Sequence, residues 1–221
     1  MADSKIENTT AALALLPVQT NKEISAQDIR DIVNSVPFVG SGKWNDLATP
    51  IQEGTGASAL VVEAYRDTPF RCYFTSHNQA DQLHFTYQMS HDWDGTAVKP
   101  HMHIIPMSSG SGLIHFAGQY AWVQVNGAAL PANAGWTPFT GSLSVTPADQ
   151  YIERIISFGE VQPLADPKAS DILCIEVERV PATDTYETSK SPGTAAANVA
   201  IVSVDCHYRI GKLGTTNEFG E

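Results

Sequence analysis

The stretch Ile201-Val202-Ser203-Val204-Asp205-Cys206-His207-Tyr208 decides the fold. Successive side chains of a strand point to opposite faces, so Val202, Val204, Cys206 and Tyr208 share one apolar face, while the positions between them turn polar at Asp205 and His207. Working outward, the pattern extends over 199–210. Seven further segments read the same way: 60–65, 70–74, 83–89, 98–105, 113–125, 151–158 and 172–180, rich in β-branched or aromatic residues. Clusters of Gly, Pro, Asp and Ser separate them, among them Asp92-Trp93-Asp94-Gly95, residues 108–112 and Asn126-Gly127. Parallel pairing would need a helix at each crossover, and no helical run lies between these segments. The expectation is an all-β protein built as an antiparallel jelly-roll-like β-sandwich.

Residues 1–50 read differently. Ser25 is placed to cap a helix with Asp28 three positions on; Ile29, Ile32, Val33 and Val36 follow at helical spacing, and Pro37 stops the run. Gly40-Ser41-Gly42 and Pro50 then mark a join. The expected organisation is an N-terminal extended or helical arm over 1–50 and a β-sandwich body over 51–221. A stripe of four apolar residues cannot be buried by the arm itself, so Ile29, Ile32, Val33 and Val36 are expected to anchor it on a neighbour.

Composition narrows the function. Of 221 residues 43% are hydrophobic and only 17% charged, which excludes disorder over most of the chain. No apolar run approaches the ~18 residues of a membrane span, so no membrane partner is expected. Thirteen basic against 24 acidic residues give a net charge of −11, a field that repels phosphate and excludes nucleic acid as a partner. Cys72, Cys174 and Cys206 are odd in number and widely spaced; small buried thiols are expected rather than a disulfide framework. Met1-Ala2-Asp3-Ser4-Lys5 has no basic start of a secretory signal, and the apolar piece 11–16 is short, so synthesis and folding in a reducing cytoplasm are expected.

The sharpest chemical candidate is His101-Met102-His103. Histidines two apart on a strand share a face, one way to present two imidazoles to a metal. With Gly95 before it, the pair resembles the opening of the cupin metal motif. A cupin would add a Glu after three or four intervening residues, where Met107 and Ser108 stand instead. His207 could complete a three-histidine face if its strand lay beside theirs; the simpler reading is a sheet histidine satisfied beside Asp205. With no predictable third ligand, neither metal nor cofactor is assigned, and a structural or interface role is expected for these histidines. Cys206 and His207 are adjacent and face opposite sides of a strand, so they cannot act on one another. No nucleophile elbow or phosphate loop is present. No catalytic residue is assigned. Trp122 lies mid-strand and is expected in the core, while Trp93 and Trp136 fall in loops, where exposed rings could serve an interface or a glycan.

The order of several short motifs is similar to that of small virion proteins of tailed bacteriophages. Asp94-Gly95-Thr96 and Lys99-Pro100-His101-Met102-His103 resemble their Gly-Thr and Pro-His-x-His strand. Tyr120-Ala121-Trp122, residues 155–159, Ser170-Asp171-Ile172-Leu173 up to Arg179, Asp184-Thr185-Tyr186 and Val204-Asp205-Cys206-His207-Tyr208 follow in order. The resemblance covers roughly residues 90–215. It implies a non-enzymatic β-sandwich component of the particle, on the head surface, collar or tail. Such a protein would be made in the host cytoplasm and assembled as a homo-oligomer, with a trimer favoured. Its partners would be capsid or tail proteins. The rivals are a cupin-like metal-dependent enzyme using His101, His103 and His207, and a receptor- or glycan-binding module at a tail tip.

Overall fold

The computed structural model describes residues 43–53, 61–75, 82–127, 129–132, 135–186 and 199–211. Ile29, Ile32, Val33, Val36 and His77 lie outside these residues. Among the described residues the strands are β1 (Trp44–Thr49), β2 (Gln52–Glu53), β3 (Val61–Ala64), β4 (Arg71–Thr75), β5 (Gln82–Gln88), β6 (Lys99–Pro106), β7 (Gly112–Val123), β8 (Thr137–Val145), β9 (Arg154–Ser157), β10 (Ile172–Arg179) and β11 (Val199–Arg209).

They form two antiparallel sheets. One runs β3-β4-β11-β6-β9 with β1 also paired to β11; the other runs β2-β5-β10-β7-β8. Numbered from β4, eight strands divide between the sheets in the orders first-eighth-third-sixth and second-seventh-fourth-fifth, which is the jelly-roll winding. The fold class expected from the sequence is therefore present.

Strict alternation builds the core. Leu83, Phe85 and Tyr87 of β5 and Leu173, Ile175 and Val177 of β10 point inward to meet Met102, Ile104, Ile156, Val204 and Cys206 of the facing sheet. A large apolar side chain buried in this way contributes about 1.5–3 kcal/mol relative to exposure. In β11 the expected face is interrupted. A bulge shifts the register between Ile201 and Ser203, so Val199 and Ile201 enter the core before it, and Val204, Cys206 and Tyr208 after it. Val202 instead joins a smaller apolar cluster of Cys72, Phe74, Met107 and Ala200, with Tyr65 and Ile105 packed against it.

Three strands depart from the sequence reading, the two-residue β2 and the longer β8 and β1. β8 was not expected: Pro138 and Gly141 are strand-depleted residues, and Ser142 and Ser144 leave it without a β-branched or aromatic run. Its place at a sheet edge tolerates the proline. Gly141 lies under Phe158 and Ile156, whose atoms would stand 2.7–2.8 Å from an added Cβ, so the close approach of β8 and β9 requires glycine there. β1 falls within the stretch assigned to the arm, yet it pairs residue for residue with β11, from Trp44 opposite Arg209 to Thr49 opposite Val204. The sandwich therefore begins before residue 50. Asn45 and Asp46 hide this locally, because the pairing is supplied from a strand 160 residues away; Asn45 Nδ2 donates to Tyr208 Oη at 2.8 Å.

Of the three thiols, Cys72 and Cys206 are buried as expected, whereas Cys174 is only half-buried because it faces outward between Leu173 and Ile175 on β10. All three are free. Burial pushes the Cys206 thiol up to about 12, which keeps it protonated.

Candidate functional site

The pairing of β6 with β11 brings together the residues that the sequence offers as its sharpest chemical candidate. The register sets His103 opposite Ser203, His101 opposite Asp205 and Lys99 opposite His207. Pro100, Met102 and Ile104 alternate toward the core, so His101 and His103 point to the other face of the sheet, together with Asp205 and His207. All three histidines share one face. β9 and β1 border it: Ser157 lies opposite His101 and Ile155 opposite His103, while Asp46 lies opposite His207.

Within this row the side chains divide into two groups. His101 Nε2 and His103 Nε2 are 3.1 Å apart, and Asp205 Oδ2 lies 3.0 Å from His103 Nε2 and 3.9 Å from His101 Nε2. Donor atoms of His101, His103 and Asp205 all fall within 4.8 Å of one another, the spacing of ligands around one ion. His207 does not join them at that point. Its ring packs on that of His101 at 4.3 Å between centroids, and its Nε2 pairs with Asp46 Oδ1 at 2.7 Å. The third potential ligand is thus an aspartate, not the third histidine weighed from the sequence. The signal was available in the alternation Asp205-x-His207, but the choice needed the strand register.

The far side of each ring is also held. His101 Nδ1 lies 3.4 Å from the Lys99 carbonyl oxygen, and His103 Nδ1 bonds the Glu153 carboxylate. Both partners only accept, so both Nδ1 atoms donate. His101 is 5% exposed, and its pKa is lowered chiefly by burial; the Lys99 carbonyl bond opposes this shift, while the charges of His207 and His103 add to it and Asp205 opposes it. The imidazole of His101 is therefore neutral near pH 7. Ile105, on the same face as His103, continues into the small apolar cluster around Phe74, which closes one end of the row. Trp44 marks the other end, with Lys99 Nζ 4.8 Å and the Arg209 guanidinium 5.0 Å from its ring centre.

The loop aromatics do not behave alike. Trp93 is 2% exposed: it stacks on Trp122 at 5.7 Å with 7° between the ring planes and donates Nε1 to the Thr96 carbonyl at 3.0 Å. It is a core residue, not a loop contact, because its loop is strapped down by Asp94 N to Arg209 O at 2.9 Å and Gly211 N to Asp92 O at 2.9 Å. Trp122 is buried as expected and donates Nε1 to Gln162 O at 2.9 Å. Trp136 is half-buried, its Nε1 donating to Pro131 O at 3.2 Å. A depression of about 290 Å³ lies beside its loop, lined by Tyr120, Trp122, Gln124, Pro131, Thr137 and Leu164.

His84 pairs with Glu176 at 3.3 Å on the other sheet, His91 contacts Ser170 Oγ at 3.2 Å, and His115 bonds Thr183; none joins the row.

No family model matches the chain, and no curated protein matches it in sequence. Among solved structures the chain is similar to several at low scores. A CBM35 from Cellvibrio japonicus Abf62 matches with TM-score 0.36 and 12% identity, over 77% of this chain and 100% of that one. A family 11 carbohydrate-binding module from Clostridium thermocellum matches with TM-score 0.31 and 12% identity, over 81% and 95%. The enzymatically active domain of bacteriophage CBA120 tailspike protein 4 matches with TM-score 0.32 and 11% identity, over 77% of this chain and 21% of that one. Likenesses of this order carry no argument about ligand or activity.

Proposed function

We propose that the protein is a non-catalytic structural component of a tailed-bacteriophage particle, a jelly-roll subunit that assembles with copies of itself. Its N-terminal segment attaches it to a head, collar or tail protein. The particle context comes from the resemblance of its ordered motifs to virion proteins. The assembly rests on one observation, the open side of β9. That strand pairs with β6 on one side and, among the described residues, with no strand on the other. Around it Ile152 and Ile155 are 51% and 52% exposed, and Tyr151 is exposed beside them. An apolar edge strand is a template for a second chain unless something covers it. A second reading, a glycan-binding module, is favoured by the aromatic-lined depression beside Trp136.

Sedimentation equilibrium tests the assembly. The expected mass is a small multiple of 23.8 kDa, with three copies favoured. Ile152→Asp combined with Ile155→Asp is expected to return the mass to that of one chain with the melting temperature of the body little changed. A wild-type protein that stays single at every accessible concentration contradicts self-association.

A further inference from the structure

We propose that His101, His103 and Asp205 bind one divalent transition-metal ion, zinc or a close relative, through His101 Nε2, His103 Nε2 and Asp205 Oδ2. This goes beyond a structural role in a particle and does not depend on it.

Both Nδ1 atoms spend their proton on an acceptor, the Lys99 carbonyl for His101 and the Glu153 carboxylate for His103. A ring whose Nδ1 carries the proton in such a bond turns Nε2 toward the cluster as its metal-binding nitrogen. Those two nitrogens face each other across 3.1 Å, with a carboxylate oxygen 3.0 Å from one of them. In this tautomer no proton lies between the two Nε2 atoms and the carboxylate, whose Oδ2 is otherwise met, among the described residues, only by the Ser203 hydroxyl at 3.5 Å, and the fold holds the three donors together on two directly paired central strands. A cation at their meeting point is ligated by all three. The outward Nδ1 bonds, to a carboxylate on one histidine and to a backbone carbonyl on the other, are the arrangement that orients metal-ligating histidines and raises their basicity.

The donor types choose the ion. Two imidazole nitrogens and one carboxylate suit zinc and neighbouring first-row ions, whereas calcium and magnesium take all-oxygen shells. Three protein donors leave coordination open toward the outer face, where a water or an exogenous oxygen ligand would complete the shell. Position gives the ion a mechanical effect. His103 lies opposite Ser203, the first pair after the β11 bulge, and His101 opposite Asp205 follows. An ion shared by these residues clips β6 to β11 where the ladder resumes.

The test uses the full chain stripped of metal and titrated with zinc(II) and, for its visible absorption, cobalt(II). One ion per chain is expected, with dissociation in the micromolar range or tighter. His101→Ala and Asp205→Ala should each weaken binding by about 100-fold, and Glu153→Ala, which frees the His103 ring, by about tenfold. His84→Gln, on the other sheet, should leave binding unchanged. His207→Gln separates donor sets: equal loss to that of His101→Ala overturns the assignment of Asp205 as third ligand. Should a variant fail to fold, ¹⁵N spectra of wild-type histidine rings decide alone. Zinc should shift the Nε2 resonances of two histidines while their Nδ1 stay protonated. No shift at about 100 μM zinc, with a proton found on one of these Nε2 atoms, shows that a shared proton holds the cluster, and overturns the proposal.

Discussion

Replacing Asp184 by alanine lowers the unfolding free energy by about 3–5 kcal/mol, the cost typical of removing one partner from a buried ion pair. Arg179 and Asp184 have no exposed side-chain surface and form a two-point pair, Nε to Oδ2 at 2.6 Å and Nη2 to Oδ1 at 3.1 Å. Arg179 Nη1 also donates to Thr75 O at 3.0 Å, which ties the end of β10 to β4 in the other sheet. The carboxylate accepts two backbone N–H groups as well, from Tyr186 at 3.0 Å and His115 at 3.1 Å. Alanine at 184 therefore leaves a buried guanidinium uncompensated and two backbone donors unpaired at once. Urea unfolding measures the loss as a lower midpoint at unchanged slope. A change below about 1 kcal/mol would mean that water reaches the pair and that the sheets are not joined there. The adjoining Tyr186, whose Oη accepts from Ser108 N and donates to Ser108 O, both at 3.0 Å, closes the same end of the sandwich.

Trp93→Ala is expected to cost about 3–5 kcal/mol, the range for truncating a large buried aromatic, whereas Trp136→Ala should cost no more than about 1 kcal/mol. Both residues sit in loops, but their surroundings differ. Trp93 is buried and stacked on the Trp122 ring, in a loop bonded to residues 209–211, so its removal opens a cavity and unpairs the Thr96 carbonyl. Trp136 stays half-exposed against its own loop. Thermal melts of the two variants, followed by circular dichroism, should separate by several degrees. Equal melting temperatures would contradict the burial of Trp93.

The contrast between these tryptophans shows what the sequence carries. Alternation identified β5, β6, β10 and β11, because each buries one face, and burial of one face is written into every second residue. β8 and β1 escaped because they are edge or added strands whose partners supply the pairing, leaving little demand on their own composition. Trp93 was misplaced for a similar reason. Its loop composition is that of an exposed turn, whereas stacking on Trp122 and backbone bonds to residues 209–211 bury it. For the site, the strand period placed His101 and His103 on one face, but the third partner depends on register between residues a hundred positions apart. That register set Asp205 beside them and turned His207 toward Asp46. The Arg179–Asp184 pair left no local trace beyond an arginine at a strand end.

The proposed place of this chain in a phage particle, held by its N-terminal segment, is tested most directly by quantitative mass spectrometry. Purified particles from the genome that encodes it are compared between the full chain and a chain lacking residues 1–40. The full chain is expected in a fixed number of copies per particle, and the shortened chain should fold yet stay in the soluble fraction. A full chain absent from particles, or a shortened chain incorporated as well as the full one, contradicts the claim.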